Sequence, residues 1–167
     1  LDGHLRFHPQ AGRHFEFDPA MFTADKLKVA VDHGFERFSF GIQTLDTEVN
    51  RAHNRGPQSR ELLQRRFGEL TDAGVADRSC DILLGLAGTT PEQMVGEIGE
   101  LLASNGPDQV HVFLVTPTDS YVDAHFDGSY DRFWNHLRQF EERALPQLAA
   151  LARFHGFTHH HGSSHVV

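Results

Sequence analysis

The sequence of 167 residues holds a single cysteine, Cys80. That excludes a disulfide framework, a zinc site built on thiolates and a three-cysteine iron–sulfur motif within the chain. Tyrosine and tryptophan are scarce, two and one, whereas phenylalanine reaches fourteen. So lopsided an aromatic content points to a large apolar interior and argues against disorder. Positive charge is short as well. A formal charge of −8 leaves no electrostatic footprint for nucleic acid or an anionic membrane. Arg51, Arg55, Arg60, Arg65 and Arg66 do gather, but Glu48, Glu61 and Glu69 interleave with them, as on a solvated helix surface. No apolar run approaches membrane-spanning length, and the first residues lack a signal-peptide layout. A cytoplasmic protein is expected, and a chain opening at Leu1 fits a fragment or a processed product.

What is present is a regular alternation of short apolar runs and amphipathic helices. Residues 14–18 alternate polar and aromatic side chains up to Pro19 and read as a strand. Thr23 then caps a helix that stops at Gly34. Residues 37–43 read as the next strand, with Phe38, Phe40 and Ile42 on one face and Ser39, Gly41 and Gln43 on the other. Helices are predicted over 47–53 and 59–72, and a buried strand over 81–86. Thr90, Pro91 and Gln93 form a strong helix-start signature, ahead of a fourth strand over 109–115. Residues 131–154 read as helical, kinked or split at Pro146. Four strands with intervening helices are spaced for parallel crossovers, in an open α/β sheet or an arc of a barrel.

Along such strands side chains point alternately to the two faces of the sheet, and the chemistry sits at the strand carboxyl ends. Sorted that way, Glu16, Gln43 and Asp81 share one side, where a polar ligand can supply the partners that buried polar groups need. Each also has a structural explanation: Glu16 in an ion pair with Arg37 or Arg13, Gln43 capping the next helix, Asp81 satisfying backbone groups at a strand start.

The ordered set Phe15-Glu16-Phe17-Asp18-Pro19, Phe38-Ser39-Phe40-Gly41-Ile42-Gln43-Thr44, Asn54-Arg55, Asp81-Ile82-Leu83-Leu84-Gly85-Leu86, Thr90-Pro91-Glu92 and Gly106-Pro107-Asp108 resembles the radical S-adenosylmethionine superfamily. Its order and spacing are similar to the oxygen-independent coproporphyrinogen III oxidase-like branch over roughly residues 14 to 116. The resemblance implies a partial (β/α) TIM-type barrel over residues 1–120, followed by a C-terminal helical extension over 121–167. It implies S-adenosylmethionine as cofactor, cleaved at a [4Fe–4S] cluster to a 5′-deoxyadenosyl radical that abstracts hydrogen. Position by position it makes Glu16 the strand carboxylate on the cofactor, Gln43 the amide ending the next strand, and Arg55 a partner for the methionyl carboxylate. Asp81 becomes the aspartate opening the following strand, and Thr116 falls against the adenosyl group.

The departures are as informative. Cluster ligands are absent from the chain, and Cys80 reads as a small buried hydrophobe. Gly85-Leu86-Ala87-Gly88 stands where relatives have leucine-proline after the glycine, and Pro117-Thr118-Asp119 replaces their proline-glycine-threonine. Thirteen histidines raise a metal hypothesis. Yet the densest group, His159, His160, His161 and His165, alternates direction on an extended segment and resembles an incidental or tag-like stretch. His111 reads as a satisfied core or interface histidine. No metal is assigned to this chain's side chains.

The expected function is therefore a piece of a radical S-adenosylmethionine oxidoreductase acting on a small molecule, a tetrapyrrole among the options, or a radical methyltransferase. Its missing barrel half or a partner subunit would supply the cluster. The rival readings are a non-catalytic, chaperone-like binder of heme or tetrapyrrole, and an unrelated β/α barrel.

Overall fold

The computed structural model describes residues 8, 11–161, 165 and 166. The elements run β1 (His14–Phe17), α1 (Ala24–Asp32), β2 (Arg37–Gln43), α2 (Thr47–Ala52), α3 (Arg60–Asp72), β3 (Asp77–Leu84), α4 (Pro91–Ala103), β4 (Gln109–Leu114), α5 (Asp119–Phe126), α6 (Tyr130–Arg143), α7 (Leu145–Phe154), β5 (His160–His161) and β6 (His165–Val166). β1 to β4 pair in parallel in chain order, and β6 then β5 extend the sheet antiparallel to give the order β1-β2-β3-β4-β6-β5.

Local chemistry explains the boundaries. Thr23, Asp46, Ser59, Thr90, Thr118 and Ser129 each accept a backbone N–H in the first turn of the helix they precede, satisfying donors that a helix start would leave orphaned. Pro146 falls in the first turn of α7, where its missing N–H is harmless, so the long C-terminal helix splits at Ala144. One face of the sheet is apolar: Phe38, Phe40, Ile42, Cys80, Ile82, Leu84, Val110 and Val112 are fully buried in one core with Leu27, Leu63, Phe67, Met94 and Ile98 from α1, α3 and α4. α6 and α7 join that core through Phe140 and Leu148. A second cluster, with Val122, Phe126 and Phe133, forms over Leu86 and Val115 just past the carboxyl ends of β3 and β4.

Three features depart from the sequence reading. β3 starts at Asp77 and ends at Leu84, not over 81–86, so Asp81 lies mid-strand and does not open it. The polar run Asp77-Arg78 conceals the strand start because its charges are matched by neighbours: Arg37 meets Asp77 at 2.7 Å and Arg78 meets Asp108 at 2.9 Å. The strand stops at Gly85, whose φ of +88° suits glycine alone, and a Cβ there would lie 2.5 Å from Leu137 of α6. α5 occupies residues predicted to have no element, since an eight-residue helix with two buried side chains carries little periodic signal. Finally, the histidine-rich end contributes β5 and β6, a pairing that short strands without alternation do not announce.

Candidate functional site

The sheet face opposite the apolar core carries the polar residues. Parallel register places Glu16 beside Ser39, Ser39 beside Ser79, and Gly41 beside Asp81, with Asp81 in turn beside His111. Partners in register share a face, so Glu16, Gly41, Asp81 and His111 lie along one band. At its centre β2 ends irregularly. The ladder shifts between Gly41 and Gln43, Gln43 takes a φ of 69°, and the Thr44 N–H donates to the Ile42 carbonyl at 2.9 Å. A bond from i+2 to i around a positive-φ residue is a γ-turn of the strained kind, which a glutamine holds only when its surroundings insist.

The turn brings the Gln43 side chain back over Gly41. A Cβ built on Gly41 would lie 3.1 Å from Gln43 Nε2, 3.3 Å from Arg55 Nη2 and 3.4 Å from Glu16 Oε1. An amide, a guanidinium and a carboxylate, far apart in sequence, thus converge on the space a glycine leaves open. Arg55 arrives there because α2 stops at His53 and Asn54 turns left-handed at a φ of 56°, a conformation asparagine tolerates. Its Nη2 donates to the Gly41 carbonyl at 2.7 Å and lies 3.6 Å from Asp18 Oδ2. Gln58 Nε2 donates to the same carbonyl at 3.3 Å. The buried Arg55 Nε and Gln58 Oε1 have no partner among the described residues.

The structural explanations for these side chains do not hold. Arg37 is taken by Asp77, Arg13 donates to the His33 carbonyl, and Glu16 makes no hydrogen bond or ion pair among the described residues. The cap of α2 is Asp46, not Gln43, with Oδ1 accepting from Glu48 and Val49 at 2.9 and 3.0 Å. Asp81 is engaged: its Oδ1 lies 2.9 Å from His111 Nδ1. Thr116 is exposed just beyond the carboxyl end of β4.

This is a donor and acceptor set for a polar ligand with both charges. A carboxylate suits Arg55, and hydroxyls or an ammonium suit Glu16, Gln43 and Asp81. The buried Arg55 Nε, unpartnered among the described residues and lying beside the exposed Glu16 carboxylate, fits such an occupant, since an orphaned buried polar atom is costly. A thiolate-bound cluster does not fit. Cys80 is fully buried, and its thiol is pushed far above the ordinary range by burial and then by the charge of Asp81. Among the described residues no group of three His, Cys, Asp or Glu side chains is placed to hold a metal ion.

Known proteins resemble the chain over the same stretch. It is 33% identical over 138 residues to the oxygen-independent coproporphyrinogen III oxidase of Bradyrhizobium diazoefficiens, covering 83% of this chain and 28% of that one. It is 34% identical over 98 residues to the Helicobacter pylori (strain J99) enzyme of the same name, covering 59% and 21%. The chain is a partial homologue of the coproporphyrinogen III oxidase branch of the radical S-adenosylmethionine enzymes. It spans only 21% to 28% of the length of these relatives. This partial homologue also shares its fold with the solved coproporphyrinogen III oxidase of Escherichia coli, named a radical SAM enzyme. There the TM-score is 0.70 at 23% identity, over 90% of this chain and 35% of that one. The parallel sheet of the homologue is thus an arc of a β/α barrel, followed by C-terminal helices. No family model matches it.

One residue beside the band went unrecognised in the sequence, and the place of another was missed. Gln58 sits in a loop, where no periodicity marks it. His111 is half-buried and bonded to Asp81, with Nε2 3.4 Å from Gln109 Oε1, so the reading of a satisfied histidine accounts for its bonds but not for its place beside the site.

Proposed function

We propose that this chain is the part of a radical S-adenosylmethionine oxidoreductase barrel that binds the cofactor. Arg55 takes its carboxylate, Glu16, Gln43 and Asp81 take its ammonium and ribose hydroxyls, and Thr116 flanks the adenosyl group. What supports this reading above all is the convergence of Glu16, Gln43 and Arg55 on the open side of Gly41. Held there beside a [4Fe–4S] cluster, S-adenosylmethionine would supply the chemistry of hydrogen-atom abstraction. The cluster ligands belong to residues outside this sequence, so the isolated chain binds without turning over. This chain's residues orient the cofactor: the guanidinium offers a fork of donors, and the glycine leaves the backbone approachable. The substrate of the assembled enzyme is a small molecule, read from the relatives as a tetrapyrrole.

Calorimetric titration of the full chain with S-adenosylmethionine tests the reading. Saturable binding is expected, weakened at least tenfold in Arg55→Ala, as loss of a charge-assisted hydrogen bond would give. An affinity unchanged in both Arg55→Ala and Glu16→Gln, or no saturable heat, removes the assignment. Saturable heme binding with a Soret shift, in place of cofactor binding, would move the chain to the chaperone-like class.

A further inference from the structure

Glu97 is a carboxylate in the apolar interior, 5% exposed, on the sheet-facing side of α4. A charge in that position is costly unless its oxygens are fully engaged. They are. Oε2 accepts the Thr44 hydroxyl at 2.8 Å and the Leu45 N–H at 2.7 Å, and Oε1 accepts Gln93 Nε2 at 2.9 Å. Gln93 Nε2 also reaches Asp46 Oδ2 at 3.2 Å, tying the same carboxylate network to the cap of α2. From the other side Asn50 Nδ2 donates to the Thr44 carbonyl at 2.8 Å. Thr44 is fully buried and Asn50 nearly so.

The bonds to Oε2 and from Asn50 fall on the two residues that follow Gln43. Thr44 is also the donor that closes the γ-turn onto Ile42. Left alone, a glutamine at a φ of 69° relaxes toward the β region and continues the strand. In a regular strand Gly41 and Gln43 share a face about 7 Å apart along the chain, so relaxation draws the Gln43 side chain along the strand and off Gly41. Glu97 opposes that relaxation by fixing Thr44 and Leu45 in place.

We propose that Glu97 is a positioning residue for the candidate site, holding Gln43 in its strained conformation over Gly41 without touching a ligand. This role rests on the proposed cofactor site only for its purpose; its mechanics depend on the turn itself.

The experiment uses the full chain, with amide hydrogen exchange followed by NMR. In Glu97→Ala the Thr44 and Leu45 amides should lose protection by on the order of tenfold or more, the equivalent of one lost anchoring bond, while Ile82 and Leu84 of β3 keep theirs. Glu97→Gln retains an acceptor for both donors and should restore most of that protection. Should Glu97→Ala fail to fold, Thr44→Val removes one donor from the clamp in its place. A second arm is a double-mutant cycle in urea. Gln43→Gly relieves the positive φ, so it should stabilise the wild type and lose that gain in the Glu97→Ala or Thr44→Val background. Unchanged protection at Thr44 and Leu45, or equal stabilisation by Gln43→Gly in both backgrounds, overturns the proposal. Neither arm needs a ligand, so a chain that fails to bind S-adenosylmethionine would defeat the functional reading and leave the positioning role to be decided by these two arms.

Discussion

The imidazole Nδ1 of His111 lies 2.9 Å from Oδ1 of Asp81, across adjacent parallel strands and on the face opposite the core. Asp81 accepts, so Nδ1 carries a proton, and Nε2 faces Gln109 Oε1 at 3.4 Å. Nitrogen NMR should find His111 carrying a proton on Nδ1. In Asp81→Asn that preference should weaken, with a stability loss of about 1 kcal/mol for one hydrogen bond. An unaltered proton position would mean that Asp81 does not orient the ring.

Gly41→Ala separates fold from site. The φ of Gly41 is ordinary, so the backbone tolerates alanine, but the new methyl meets Gln43, Arg55 and Glu16 at 3.1 to 3.4 Å. The stability change should stay near about 1 kcal/mol, the low end for overpacking, because the neighbours are the far ends of flexible side chains and can give way. Cofactor affinity measured by calorimetry should fall far more, since the three groups would no longer converge.

Cys80 should resist alkylation in the native chain. Burial holds its thiol above the ordinary value of 9.0, and the Asp81 charge adds to this. Nucleophilic thiolate is therefore scarce under mildly alkaline conditions. Reaction with iodoacetamide should appear only on unfolding. The sign for stability follows from proton linkage: the folded thiol keeps its proton after the unfolded one loses it. Stability is then flat below the unfolded value and declines as pH rises beyond it.

His125 gives the opposite slope. Its pKa is lowered, first by burial and then by the neighbouring His53, whose ring centroid is 4.4 Å away. The unfolded chain takes up a proton there near pH 6.5 while the folded chain resists. The contribution is present above that pH and is lost as pH falls toward the folded value. Urea midpoints should drop between about pH 7 and 5. The drop should be smaller in His125→Gln, and an identical profile in the variant would assign the effect elsewhere.

Much of the fold is legible because its determinants are local. Threonine and serine caps, the glycine stops, and the alternation Phe38, Phe40, Ile42 against Ser39, Gly41, Gln43 act within a few residues, and they bound β2 at the residues the structure shows. Local pattern fails where charges are neutralised by distant partners. Asp77 and Arg78 look like a loop until Arg37 and Asp108 are seen beside them, so the pattern alone opens β3 at Asp81, which in fact lies mid-strand.

By itself the sequence determined which residue types lie on which face of each strand, since that depends only on a period of two. It also marked Glu16, Gln43, Arg55 and Asp81 as candidates. The tertiary structure alone decided that three of them meet over Gly41, that Asp81 is already bonded to His111, and that Glu97 reaches across 53 residues to Thr44. The reason is physical. Parallel register and the positive-φ turn at Gln43 are set by contacts between distant segments, and no local pattern encodes a distance between side chains brought together by packing.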